Sequence, residues 1–240
     1  MENNNYPSAY PHDAIAELFP DVFYVHGSIK MAPGLSISRN MLVIRNGSEL
    51  TLVNPIRLND SEEQSLLSLG QIRHVLRLGD FHGLDDPYYV DKFGAEFWSQ
   101  EGQVTYLSPT PDHIITEKIK PPIPDAEFFV FTSATVPESA LLLKEKRLLI
   151  TTDAIQHYTE WTRTSLLARL VLPLIGFKKD LMIGPPWLKK VTPKGGSMYS
   201  DFERLLQLEF DHLISAHGSL LRDDARSRLK DVVSKTFPSV

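Results

Sequence analysis

Cysteine is absent from this chain of 240 residues, so neither a disulfide nor a thiolate-bound metal can contribute to it. Any metal site must be built from histidine and carboxylate. A basic excess is missing as well. The formal net charge is -5, which gives no electrostatic reason to expect nucleic acid as a partner. Long hydrophobic runs are also lacking. The longest, Leu166–Phe177, is broken by Arg169 and Pro173 and falls short of the roughly 20 residues that a bilayer-spanning helix needs. No membrane span is expected. The start, Met1-Glu2-Asn3-Asn4-Asn5, lacks a basic segment followed by an apolar core, so cytoplasmic residence is the expectation.

What is present reads as strands and helices in alternation. Residues 1–19 form a lead-in, rich in Asn, Pro and Tyr over 1–13 and expected to be poorly ordered. Val22–His26 is β-branched and aromatic. Met41–Arg45 and Leu50–Val53 flank Asn46-Gly47, a strong hairpin signal. Asp60–Leu69 reads as a helix with Ser61 as candidate N-cap and acids in its first turn. Ile72–Leu78 is an apolar strand, a short helix follows at Asp86–Phe93, and Val104–Tyr106 reads as a further strand. Glu127–Thr132, Ser139–Leu143, Arg147–Thr151 and His212–Ala216 continue the strands, with helices over Met198–Leu208 and Asp223–Lys235. Hairpin signals imply antiparallel strands, so the pattern suits two mixed sheets packed face to face with helices outside.

Three of these strands end in residues that can ligate a metal. Val75–Leu78 runs into Gly79-Asp80-Phe81-His82-Gly83-Leu84-Asp85-Asp86, Leu148–Thr151 into Thr152-Asp153, and His212–Ser215 into Ala216-His217-Gly218. Strands lying side by side would bring Asp80, His82, Asp153 and His217 to one sheet edge, where loops at strand ends form crevices. Each of these residues taken alone also reads as an ordinary loop, cap or strand-end residue.

Together they resemble the metallo-β-lactamase superfamily over residues 20–235. Asp80-Phe81-His82-Gly83-Leu84-Asp85 resembles its His-x-His-x-Asp-His segment. Ala134-Thr135-Val136-Pro137-Glu138-Ser139 resembles the turn of its third histidine, and Leu52-Val53-Asn54-Pro55 its early Leu-Val-Asp-Thr strand. Asp153 matches the bridging aspartate and His217 the last histidine. The resemblance implies a four-layer αββα sandwich of two mixed sheets flanked by helices, as a single domain over 20–240. It also depicts Gly27–Gly34, beside His26, as a mobile loop over the active site.

Of the ligand positions, His82, Asp153 and His217 carry over unchanged. Asp80, Thr135, Leu84 and Asp85 stand where the family has histidine, histidine, aspartate and histidine. Leu84 cannot bind a metal, so a standard two-metal site is not expected. What the resemblance leaves is one divalent ion, zinc, iron or manganese, or none at all. His82, Asp153 and His217 would hold it with Asp80 or Asp85 as a further ligand, and the added carboxylates favour iron or manganese. Asp85, Asp86 and Asp153 are the candidate catalytic carboxylates, as base or as supports of a ligating imidazole. His157, four residues after Asp153, is a candidate to reach the site from a helix. The implied function is a mononuclear metal-dependent hydrolase of an ester, lactone, thioester or phosphoester. The alternative is a non-catalytic member that binds a ligand or a protein in the same crevice. The apolar 166–187 region reads either as a wall of the pocket or as a homodimer surface.

Overall fold

Period-two alternation of apolar residues builds two main sheets, each with one face against the other and one face under helices. The computed structural model describes residues 6–238. Its first sheet has seven strands in sequence order: β1 (Ala16–Phe19), β2 (Val22–Ala32), β3 (Leu35–Asn46), β4 (Glu49–Val53), β5 (Gln71–Leu76), β6 (Glu96–Ser99) and β7 (His113–Ile114). β1 to β4 are antiparallel neighbours, and β4 to β7 are parallel ones. Helices α1 (Asp60–Leu69) and α2 (Asp86–Phe93) fill the crossovers. The second half supplies β8 (Ala126–Val130), β9 (Ser139–Leu143), β10 (Leu148–Thr151), β11 (Ile155–His157), helix α3 (Leu166–Leu174), β12 (Leu181–Ile183), helices α4 (Pro185–Val191) and α5 (Tyr199–Leu205), β13 (His212–Ser215) and helix α6 (Ala225–Thr236). The second main sheet runs β13-β10-β9-β8, and β11 pairs with β12 alone.

Neighbouring residues on one strand divide between layers. Leu42 and Ile44 of β3 meet Leu141, Leu143, Leu148 and Ile150 between the sheets. Met41 and Val43 lie on the other face with Leu66 of α1 and Tyr89 of α2. Leu142, Leu149 and Leu213 point outward to Trp187, Phe202, Leu229 and Val233 of α4, α5 and α6. Burying each such side chain contributes about 1.5–3 kcal/mol. The layers are thus helix, sheet, sheet, helix, as expected.

Several local expectations fail for identifiable reasons. Asn59, not Ser61, caps α1: its side chain accepts from Glu62 N–H at 3.0 Å. Val104–Tyr106 is a loop, because the N–H groups of Val104 and Thr105 donate to the Asp80 carboxylate instead of a neighbouring strand. The lead-in expectation for 1–19 fails over residues 6–19. Asp13 N–H donates to His26 O at 2.8 Å, Ser28 N–H to Pro11 O at 3.0 Å, and β1 pairs with β2, so this segment covers an edge that would otherwise stand open. Residues 1–5 lie outside the described residues. Gly27–Gly34 belongs to the β2–β3 hairpin, paired through Ser28 opposite Ser38 and Lys30 opposite Ser36, rather than to a free loop.

Candidate metal centre

β10 and β13 run parallel with Thr151 opposite Ser215, so Asp153 and His217 leave the same edge two residues beyond that rung. The segment after β5 is drawn to this edge by a bridge between Gly79 and Glu138. Ser139 N–H donates to Leu78 O at 2.7 Å, and Leu78 N–H donates to Asn54 Oδ1 at 3.1 Å. Gly79 is needed for this approach: a Cβ there would lie 2.5 Å from Glu138 Oε2 and 2.7 Å from Thr152 Oγ1.

His82, Asp153 and His217 converge so that one donor atom from each lies within 4.8 Å of the others. His82 Nε2 is 3.1 Å from Asp153 Oδ2, and His217 Nε2 is 3.3 Å from Oδ1. Donors about 2 Å from one ion stand no more than about 4 Å apart, so three donor atoms within 4.8 Å of one another make a group that could hold one divalent cation. The histidine chemistry fits as well. His217 Nδ1 lies 2.7 Å from Ser38 O, a carbonyl that can only accept, so Nδ1 carries a proton. In the neutral ring Nε2 then keeps its lone pair for a metal.

The carboxylate is supported from behind. Glu138 Oε1 accepts from Asp153 N–H at 3.0 Å, from Ala154 N–H at 2.9 Å and from the Thr152 hydroxyl. Gln156 Nε2 donates to Asp153 Oδ1 at 3.2 Å. Burial opposes the charge of Asp153, but His82 and His217 outweigh it and hold the carboxyl well below its usual range. Burial also opposes a charged His217, and the hydrogen bond that its ring donates to Asp153 outweighs that in turn, raising the imidazole. For Glu138, burial and then the charge of Asp153 push the carboxyl up to about 8.

The other expected ligands are engaged elsewhere. The Asp80 carboxylate accepts from Val104 N–H at 2.6 Å, Thr105 N–H at 3.1 Å and the Thr105 hydroxyl, tying down the loop after β6. Asp85 pairs with Arg39 Nη2 at 2.5 Å and accepts from Arg57 N–H at 2.9 Å. Asp86, fully buried, holds Arg77 Nε at 2.6 Å, and burial against that pull raises its carboxyl to about 6. The expected anionic ligand set therefore does not assemble, and the preference for iron or manganese loses its basis. Asp85 and Asp86 are likewise bound to arginines rather than poised as bases. Thr135 donates its hydroxyl to Val191 O at 3.0 Å. His157 lies on β11, not on a helix, with Nδ1 3.2 Å from Ser219 O. His26 spends both ring nitrogens on Asn40 and Thr162.

No family model and no curated protein matches the sequence. Solved structures do match in three dimensions. VMB-1 at pH 5.5 superposes with a TM-score of 0.67 at 11% identity, covering 97% of this chain and 99% of that one. The metallo-β-lactamase FIM-1 from Pseudomonas aeruginosa, in its mono-zinc form, gives 0.65 at 12% identity over 96% and 98%. A metallo-β-lactamase from Hirschia baltica gives 0.60 at 13% identity over 94% and 98%.

The chain has the metallo-β-lactamase fold. Within that fold the three donors sit in a cleft of about 340 Å³, walled by Ile29, Phe81, Leu84, Phe177, Pro186 and Trp187. Lys190 supplies a cation to the same cleft, with Nζ 4.3 Å from the centre of the Phe81 ring, whereas the Arg39 guanidinium that also lines it is paired with Asp85. The 166–187 region therefore divides: Phe177, Pro186 and Trp187 line the cleft, whereas Leu166, Leu170 and Leu174 face solvent. Sequence reasoning missed Arg39, Gln156 and Lys190 as cleft residues and Glu138 as the support of Asp153. Glu138 sits in the quoted Ala134–Ser139 turn, but only the Gly79 bridge gives it a role.

Proposed function

We propose that this metallo-β-lactamase-fold chain is a hydrolase that holds one divalent metal ion between His82, Asp153 and His217. Zinc and iron both suit two imidazoles and one carboxylate. The chemistry such an ion supplies when bound is polarisation of an acyl or phosphoryl oxygen and activation of water near neutral pH. The chain's own residues do the rest. Ser38 and Glu138 orient the ligands, the apolar wall strips water from the substrate, and Lys190 attracts its anionic part. An apolar ester, lactone, thioester or phosphoester carrying a negative group fits this lining.

The observation that supports the reading is the approach of three donor atoms, from three strand ends, to within 4.8 Å of one another. The second reading, a binding protein without catalysis, is favoured by the engagement of Asp80, Asp85 and Asp86 in structural contacts, which leaves no further carboxylate in the cleft. Titration calorimetry with zinc and with iron(II) on metal-stripped protein tests the metal. One ion should bind per chain, and Asp153→Ala should weaken it at least about 100-fold. Equal binding by the variant would end the proposal. Binding by the wild type without turnover of any of the four ester classes would select the second reading.

A further inference from the structure

Helix α3 carries an apolar ridge on its outer face. Leu166, Leu170 and Leu174 recur every four residues and are 77%, 72% and 84% exposed, while Ala168 and Leu172 pack inward. Leu167 and Ile175 widen the ridge. A contiguous exposed patch of this kind marks a docking surface.

The ridge is fixed relative to the cleft. Ser165 N–H donates to Ser36 O at 3.0 Å, and Ser36 N–H donates to Ser165 Oγ at 3.1 Å, which ties α3 to the β2–β3 hairpin. Met31 of that hairpin, itself exposed, lines the cleft, as does Phe177 just beyond the helix. Ridge and cleft mouth thus share one side of the molecule.

Charge identifies the occupant. From Trp161 to Lys179 the sequence has no Asp or Glu but has Arg163, Arg169, Lys178 and Lys179, in a chain whose net charge is -5. Arg163 pairs with Asp13 and Lys178 with Asp180. Arg169 and Lys179 are exposed and form no ion pair among the described residues; Arg169 Nε donates to Thr164 O at 3.0 Å and Lys179 Nζ lies 5.7 Å from the centre of the Trp161 ring, so both keep their charge at the surface. A second copy meeting this face about a two-fold axis would set those cations against themselves. An anionic lipid surface complements both features, because leucines enter the acyl boundary while arginine and lysine stay at the phosphates. We infer that α3 is a peripheral anchor that lies in the interface of an anionic phospholipid bilayer, with the cleft mouth turned toward the lipid. Among the described residues no helix is long and apolar enough to cross a membrane, so the contact is one-sided.

The full chain, sedimented with vesicles of phosphatidylcholine alone or mixed with phosphatidylglycerol, tests this without reference to activity. Partitioning should be at least about tenfold stronger on the anionic vesicles. Leu170→Asp should lower it at least about tenfold, and Arg169→Ala combined with Lys179→Ala about 25-fold. Near-ultraviolet circular dichroism should stay unchanged in all variants, because the altered side chains are exposed. Absence of binding, equal binding to both vesicle types, or binding undiminished by Leu170→Asp would overturn the inference. A dimer that Leu170→Asp splits, without vesicle binding, would overturn it in favour of a second copy.

Discussion

The two halves of the crevice treat their polar residues in opposite ways. Asp153 and His217, just past the paired ends of β10 and β13, point into the cleft and meet each other. Asp80, Asp85 and Asp86, on the longer excursion after β5, turn away from it and bind a loop, Arg39 and Arg77. Only His82 of that excursion reaches the donors. A strand end fixed by a parallel ladder leaves its side chain little choice of direction. A loop carboxylate finds the nearest donors that remove it from water, and here those donors belong to the scaffold.

Substitutions can break this contrast. The largest effect on folding should come from Asp86→Ala, which leaves the fully buried Arg77 guanidinium without its anion. Urea unfolding should show a loss of about 3–5 kcal/mol. A loss under about 1 kcal/mol would mean that Tyr106 O and Ser108 O, which also accept from Arg77, suffice on their own. Asp80→Asn comes next, with about 1–3 kcal/mol for weakened bonds to Val104 and Thr105. Faster amide exchange at those two residues, with metal affinity retained, would confirm the structural role, whereas lost metal affinity would return Asp80 to the ligand set.

A further effect concerns pH. Glu138 titrates at about 8 in the folded chain against 4.5 ordinarily, so the folded state holds an additional proton between those values. The stability it contributes is complete below the lower value and is lost as pH rises through about 8. In metal-free protein the urea midpoint should therefore fall between about pH 5 and pH 9 through this group, and Glu138→Gln should flatten that fall. An undiminished slope in the variant would assign the proton to another group.

The layered fold was legible because its signals are local. Leu141, Leu142 and Leu143 form an unbroken apolar run that suits a strand buried on both faces, as it is, and Asn46-Gly47 announces its hairpin. His82, Asp153 and His217 were legible as a set because each follows an apolar strand. The duties of Asp80 and Asp85 were not, since their partners lie 24 and more residues away and no spacing announces them. Arg39 and Lys190 were hidden for the same reason: each is an ordinary cation until the fold places it in the cleft.

The contact between Arg39 and Asp85 also dictates an order of events for anyone re-engineering this crevice. Replacing Asp85 with histidine, to rebuild a fuller donor set, would first strand a buried guanidinium beside the incoming cation. Arg39 must be neutralised before Asp85 is exchanged. The route from this site to a two-metal one therefore runs through the scaffold before it reaches the ligands.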